Sequence, residues 1–567
     1  MRFSFTLNAV CSSMAERPSC SARRDASSRP GCRNRRTCTL GACLDVKVRC
    51  RIMNSFGALD AGTWIDHYLN DLARAPSSRM RDSPRTALAT LLSRHGDPQR
   101  GLRVVRIAGS KGKGSTALML EAMLTQAGWR TGAFVSPHIE HWCERIRVAG
   151  GPVPADEFAA VLAELAPDVA ALRRRPGSGP DFFEVCLVAA LLIFVRRGLD
   201  VVIVEAGIGA ATDATAVLDA GLAVLTTVEP EHLQVIGPEL GDVAREKAGV
   251  LAADRTAIIG RLPPVAAREV ELRRQAIGAR LLWLGQDFHV ERDARPSSGQ
   301  LRYFEPDYEL PLTLAPALYW LADNLALAVA AARRIPDITV DERNIANALI
   351  DLRLPGRLEH LGDAPIFLAD GAHTPASSVL LARMLSEYDV RPRILVVAFS
   401  AGHGPDALSP GLWGLADGIV VTQADAARGR DPNDIAGEIE ALHCAAAPVH
   451  VEVDPTTALR GAARLAGRNG LVCATGSVHL VGRTRAYARE RGWSEPEDQS
   501  SKQRAGLSGR RGAARPCGGA VHRNPDIPGD GSAQHDVAWV HALRKELSQV
   551  DKHHTESESQ GAPDGCN

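Results

Sequence analysis

No CxxC pair occurs anywhere in the 567-residue chain, which removes the usual thiol spacing of zinc ribbons and thioredoxin-like redox sites. Half of the 12 cysteines, Cys11, Cys20, Cys32, Cys38, Cys43 and Cys50, crowd the N-terminal end and leave the centre cysteine-poor, as expected in a reducing, cytoplasmic compartment. Long apolar runs are missing too. The longest, Val185 to Val195, stops at Arg196 and Arg197 and falls short of the roughly 20 residues that span a bilayer. Net charge is absent: 66 Lys+Arg balance 66 Asp+Glu, so no global field draws the chain to nucleic acid or to an anionic membrane. Any affinity for phosphate must be local. No internal repeat of fixed period is visible, which sets repeat architectures aside.

What is present is ordinary globular material, with 45% hydrophobic and 23% charged residues, and at roughly 100–200 residues per domain the length implies two or more domains. Residues 1–52 carry eleven Lys/Arg against three Asp/Glu and no sustained apolar period, so they read as a basic Cys/Arg/Ser-rich leader that builds no core. Met53 opens helical sequence, which fits a leader translated from an upstream start; an acid-poor, Arg- and Ser-rich leader also fits an organelle transit peptide. Residues 494–567 turn to Gly, Ser, Gln, His and Arg and read as a disordered tail, with Val537 to Leu547 a short helical stretch.

Between these ends, β-branched apolar runs alternate with helical patterns, the mark of βαβ units and a mostly parallel sheet. Val104–Ala108, Ala133–Val135, Asp200–Glu205, Ala223–Thr227 and Ala257–Gly260 read as strands, and Thr116–Ala127 and Phe182–Arg196 as helices. The alternation fails from about residue 286, and Pro296, Pro306 and Pro311 place a linker over 296–315. A second α/β series follows, with strands at Ile366–Ala369, Ile394–Ala398, Ile419–Thr422 and Leu471–Ala474. The expected fold is α/β: a P-loop-type central domain over 53–295 with a mostly parallel sheet, and a smaller Rossmann-like α/β domain over 316–493.

The sharpest local signal is Gly109-Ser-Lys-Gly-Lys-Gly-Ser-Thr116, directly after a strand and before a helix. Gly109, Gly112 and Gly114 let backbone wrap an anion, the helix N-terminus aims N–H groups at it, and Lys113 neutralises phosphate charge. Ser115 or Thr116 could then ligate Mg²⁺. The strict GxxxxGK[ST] pattern fails, since Ile107 takes the place of its first glycine and Gly114 separates Lys113 from Ser115. Glu205 ends an apolar strand before Ala206-Gly-Ile-Gly209, so its carboxylate emerges at the sheet edge where ligands of open α/β folds collect. There it suits a hard cation shared with phosphates, or a solvated strand end. His232, in Glu229-Pro-Glu-His232, reads alone as a surface loop histidine, and Arg245, Glu246 and Lys247 read as a solvated helix face.

The order of these motifs resembles the folylpolyglutamate synthase and dihydrofolate synthase family of the Mur ligase superfamily. The family's GTNGKGS is matched by Gly109–Ser115, SPH by Ser136-Pro-His138, ERI by Glu144-Arg-Ile146, the FE helix start by Phe183-Glu184, and the metal-binding acid by Glu205. Asp213-Ala-Thr215, Glu231-His232, the REKAG stretch Arg245–Gly249, Asn324, PGRLE at Pro355–Glu359, DGAH at Asp370–His373 and Thr475-Gly-Ser477 follow in order, covering roughly residues 60 to 492. The resemblance implies an ATP-dependent ligase in which a substrate carboxylate is phosphorylated and an amino acid captures the acyl phosphate. It implies Ser115 and Glu205 as ligands of one Mg²⁺, His232 of a second, and a carbamylated Lys247. Lys113 would stabilise the transferred phosphoryl group, with Asp370 and His373 at the interdomain cleft. Asn324 and Arg357 would reach ATP from the second domain. Folate or dihydropteroate and L-glutamate are the implied substrates, and a monomer the implied state.

Substrate-side loops depart from the family. GLGGRLDATN is Gly207-Ile-Gly-Ala-Ala-Thr-Asp-Ala-Thr-Ala216, which lacks an Arg and an Asn, and DGAHN ends in Thr374. GLDH has become Glu229-Pro-Glu-His232, HQ is Trp320-Leu321, and GxxxDKD is not recoverable in Ser400–Asp406. A diverged ligase joining another acid to an amino acid, and a nucleotide-binding pseudoenzyme, therefore stand beside the folate reading.

Overall fold

Strands buried on both faces need unbroken apolar runs, and the chain supplies them where the parallel sheets form. The computed structural model describes residues 60–74, 86–173, 179–350, 352–426, 428–442 and 446–493. The expected leader, tail and Val537–Leu547 helix lie outside the described residues. In the first lobe, β1 (Val104–Ala108), β2 (Thr131–Phe134), β3 (Ile146–Val148), β4 (Gly151–Pro152), β5 (Val201–Glu205), β6 (Ala220–Leu225), β7 (Thr256–Ile259) and β8 (Arg280–Trp283) form one sheet. Its order is β4-β3-β2-β5-β1-β6-β7-β8. The pairings are parallel except β2–β3 and β3–β4. This order sets β1 between β5 and β6, so the loop after β1 lies beside Glu205 and beside residues 226–232.

The 296–315 stretch is not a linker. It carries β10 (Gln300–Glu305) and β11 (Tyr308–Thr313), which join β9 (His289–Arg292) in an antiparallel sheet of order β11-β10-β9. Leu301, Tyr303, Leu310 and Leu312 are buried while Arg302, Glu309 and Pro311 face out, the period-two pattern of a sheet with one solvated face. Pro311 is tolerated because β11 is an edge strand. The helices Ala322–Ala332 and Glu342–Ile350 then pack on the Lys113–Gln126 helix, in a core that continues to Leu354. The first lobe thus extends well past residue 315, and the junction falls near residues 352–356.

The second lobe is the smaller α/β unit expected from sequence. Its strands are β12 (Glu359–Asp363), β13 (Ile366–Ala369), β14 (Arg393–Val397), β15 (Gly418–Val421), β16 (Val449–Val451) and β17 (Leu471–Thr475), in the order β12-β13-β17-β14-β15-β16. Only β12–β13 is antiparallel. Separate apolar cores cover its two faces. Among the described residues no helix is long and apolar enough to cross a membrane.

A buried ion network ties the lobes. Arg485, on the second lobe's Val478–Glu490 helix, lies 3.1 Å from Glu140 of the first lobe and 3.2 Å from Glu359 of its own. Arg489 also pairs with Glu140, at 2.9 Å. Removing the central cation leaves two largely buried carboxylates facing each other. Arg485→Met is therefore expected to lower the free energy of urea unfolding by about 3 kcal/mol, the usual cost of breaking a buried pair. A loss within the ±0.5 kcal/mol of an ordinary surface change would show that the network contributes nothing.

Candidate active site

The loop after β1 is stitched to the end of β6. Ser110 N–H donates to the Thr227 carbonyl (2.8 Å), Lys111 N–H to Thr227 Oγ1 (2.9 Å), Thr226 Oγ1 to the Lys111 carbonyl (2.6 Å), and Glu229 N–H to Ser110 Oγ (2.9 Å). At Gly109 a side chain is excluded: a Cβ would sit 2.0 Å from Thr226 Oγ1. Gly112 adopts φ +82°, and a Cβ there would meet Asn324 Nδ2 at 2.3 Å. The loop is thus held open without side chains.

Lys113, Gly114, Ser115 and Thr116 form the first turn of the Lys113–Gln126 helix, which begins three residues earlier than expected. N–H groups of a first turn have no intrahelical acceptor and face the loop, a ready anion cradle. Lys113 Nζ folds back over the loop to the Gly109 carbonyl (2.9 Å). Ser115 is buried, and the Thr116 hydroxyl is buried without a hydrogen-bond partner.

Glu205 closes one side of this cradle. Its Oε2 accepts from Ser136 N–H (2.8 Å) and lies 3.4 Å from where a Cβ on Gly114 would stand, so glycine keeps the carboxylate against the helix start. Burial raises its pKa, opposed by Lys113, the Ser136 N–H, Arg357 and Arg145. A dry carboxylate facing a phosphate cradle fits a hard cation. Among the described residues no three His, Cys, Asp or Glu side chains converge on a metal site, so such a cation must take hydroxyl and phosphate oxygens besides Glu205. That is the usual manner of Mg²⁺ with nucleotides.

The loop after β2 is shaped by Glu144, whose carboxylate accepts from the N–H groups of Ile139 (2.8 Å), Glu140 (3.0 Å) and His141 (2.9 Å). His138 packs against Trp142 and accepts at Nδ1 from Arg145 Nε (2.8 Å). Burial and the adjacent guanidinium push its pKa down to about 2.

Lys247 departs from the solvated-face expectation. Arg245 is exposed, but Lys247 is only 1% exposed, its Nζ donating to the Gly109 carbonyl (3.0 Å) and to Glu231 Oε1 (2.8 Å). Burial lowers its pKa, with Glu231 opposing. Glu231, which the sequence shows only as half of the Glu231-His232 match, is the supporting residue here. His232 is exposed at φ +53°, at the start of the short Leu233–Ile236 helix. Glu246 holds the 207–215 loop, accepting from Thr212 N–H (2.7 Å) and Thr212 Oγ1 (2.8 Å), while Asp213 accepts from Thr215 N–H (2.9 Å). Arg106, buried in β1, donates to Thr215 Oγ1 (3.0 Å) and to the Ala210 carbonyl.

The second lobe brings Arg357, Asp370 and His373. Arg357 is exposed, and its charge is felt by Glu205 across the cleft. Asp370 holds backbone: Oδ2 accepts from Leu358 N–H and Oδ1 from Ala372 N–H, both at 2.8 Å. It thereby fixes the turn that carries Arg357. His373 bonds through Nδ1 to the Gly371 carbonyl (2.7 Å), which requires the proton on Nδ1, and its ring meets His403 edge-on. Burial leads its pKa down to about 4, with Lys111, His403 and Arg357 adding to the effect. Asn324 does not reach over from the second lobe. It stands on the Ala322–Ala332 helix of the first and donates to the Gly112 carbonyl (3.1 Å).

Residues 356–478 match the protein family described as Mur ligase, glutamate ligase domain. Over 396 residues, 66% of this chain and 80% of the relative, the sequence is 30% identical to the dihydrofolate synthase/folylpolyglutamate synthase of Mycobacterium tuberculosis. The chain belongs to the folylpolyglutamate synthase/dihydrofolate synthase family. A probable bifunctional folylpolyglutamate synthase/dihydropteroate synthase of Haloferax volcanii is 32% identical over 413 residues, 70% of this chain, and the chain spans about half (48%) of that relative's length. Among solved structures, the M. tuberculosis folylpolyglutamate synthase complexed with ADP and AMPPCP superposes with a TM-score of 0.67 at 27% identity, covering 77% of this chain and 99% of that one.

The two most strongly depressed histidines, His138 and His373, make a pH prediction. Below the ordinary histidine value of 6.5 the unfolded chain takes up protons at His138 and His373 that the folded chain refuses down to about 2 and about 4. Their contribution to stability is therefore full above 6.5 and falls as the pH drops from there toward 4. The urea midpoint should decline over that window, and His138→Gln should flatten the decline. An identical slope in the variant would remove His138 as a cause.

Proposed function

We propose that the protein joins L-glutamate to a carboxylate of a folate or dihydropteroate, converting ATP to ADP and phosphate through an acyl phosphate. The observation that carries this reading is the buried Glu205 carboxylate held against the 109–116 cradle, 3.4 Å from the Cβ position of Gly114, with the charge of Arg357 from the other lobe opposing the rise in its pKa. The γ-phosphoryl group passes to the acid's carboxylate oxygen as its bond to ADP breaks. The amine then attacks the acyl carbon, sheds a proton, and phosphate leaves. Lys113 and Arg357 offset the charge on the moving phosphoryl oxygens, and the helix N–H groups hold the remaining phosphates. Ser115 and Glu205 would hold one Mg²⁺, which when bound screens phosphate charge, and His232 a second. Asn324, bonded to the Gly112 carbonyl, would stand beside a nucleotide seated on the loop. Asp370 acts by positioning Arg357, and neutral His373 lines the second lobe's edge. Burial between the lobes protects an acyl phosphate from water. The protein acts as a monomer in this reading.

The unmodified Lys247 side chain makes the Gly109 and Glu231 contacts described above; addition of carbon dioxide to its free amine, with loss of one proton, replaces that ammonium with an anionic carbamate near the metals, and a lowered pKa supplies the free amine. Intact mass measured in bicarbonate without acid should gain one CO2 in the wild type and none in Lys247→Met; the same gain in both, or none in either, would eliminate the modification.

The loop 207–216, with Ala211 and Ala216 where the family has Arg and Asn, favours a second reading in which the acid is not a folate. Glutamate-dependent ADP release with dihydropteroate or tetrahydrofolate, lost on Mg²⁺ removal and reduced at least a hundredfold by Lys113→Ala, is the expected result. Release with some other acid selects the second reading. Nucleotide binding without release under any acid and amine would make the protein a pseudoenzyme.

A further inference from the structure

The phosphate loop holds a second lysine that the reaction outlined above does not use. Lys111 stands two residues before Lys113, where GTNGKGS has asparagine. Its backbone is fixed at both ends, N–H to Thr227 Oγ1 (2.9 Å) and carbonyl from Thr226 Oγ1 (2.6 Å), so the side chain leaves from a rigid root. The side chain is 30% exposed, and its ammonium lies 3.6 Å from Glu231 Oε2. That distance is outside hydrogen-bond range, and Glu231 is already engaged by Lys247 at 2.8 Å. Lys111 is therefore steered but not consumed by its carboxylate neighbour. It sits on the loop that forms the phosphate cradle, and its charge adds to the lowering of the pKa of His373 on the other lobe. Lys113, by contrast, is folded back onto the loop carbonyls.

We propose that Lys111 is a further catalytic residue, a cation that contacts the phosphoryl group during its transfer from nucleotide to acid and releases Glu231 as it does so. The proposal rests on the phosphoryl-transfer reading, but not on the acid being a folate. A cation placed where charge accumulates in transit stabilises the transferring group more than bound ADP, which lacks that group.

The test compares binding of ADP with Mg²⁺ alone and of ADP with Mg²⁺ and aluminium fluoride, a mimic of the phosphoryl group in flight. Titration calorimetry on the full chain, for wild type, Lys111→Met, Lys111→Arg and Lys113→Ala, supplies the readout. The wild type should bind the fluoroaluminate complex more tightly than ADP. Lys111→Met should lose on the order of tenfold or more of that increment while its ADP affinity changes less than about threefold, and Lys111→Arg should restore it. An increment unchanged in Lys111→Met, a parallel loss of ADP affinity, or no increment in the wild type each overturns the proposal. Failure of the folate reading is seen separately, as absent glutamate-dependent turnover with pteroates while the Lys111-dependent increment persists.

Discussion

In its unmodified form, the buried Lys247 ammonium organises the catalytic end of the first lobe. Lys247 reaches from the Leu240–Ala248 helix to the first carbonyl of the phosphate loop and to Glu231, joining three segments far apart in sequence. Burying a charge is costly unless it is paired and hydrogen-bonded, and both conditions are met here by groups that themselves belong to the site. The loop conformation, the placement of Glu231 and the end of that helix are consequently interdependent. The glycines allow the turn; Lys247 and the hydroxyls of Thr226 and Thr227 select it.

The second constraint is that the site is divided between lobes. The cradle and Glu205 come from one side, Arg357 and His373 from the other, and neither half carries the full set of charges. Glu140 and Glu359, held by Arg485, stand where the loop after β2 meets the Pro355–Glu359 turn. The same contact that joins the lobes therefore fixes two loops lining the cleft. Asp370 plays a corresponding part within the second lobe, spending both carboxylate oxygens on backbone so that the turn carrying Arg357 stays in place.

Much of this was legible in the sequence because parallel strands advertise themselves: β5, β14 and β17 are apolar apart from an end residue, β1 is broken only by the buried Arg106, and the loop after β1 has a spacing that backbone geometry demands. Three features were not legible. Residues 296–315 were hidden because an antiparallel sheet with one wet face alternates polar with apolar and tolerates an edge proline, a pattern that reads as irregular. Lys247 was hidden because a charged helical stretch does not disclose which of its side chains turns inward; only the motif resemblance singled it out. The lobe of Asn324 was hidden because the all-apolar Leu325–Ala332 run names no partner, and it packs backward onto Met119 and Leu120 rather than onward. The supporting polar groups, Glu231, Glu246 and Arg106, act through single carbonyls and N–H groups whose positions no linear pattern encodes.

The location of Asn324 has a bearing on how the cleft can work. Since its helix shares a core with the helix that begins at Lys113, any rocking about the 352–356 junction leaves the Asn324–Gly112 contact untouched while it carries Arg357 and His373 away. A nucleotide seated there would ride with one body as cargo, and only its phosphate end would sense whether the other body had arrived. Opening could then discharge a finished product and admit a new acid without first surrendering the nucleotide's seat.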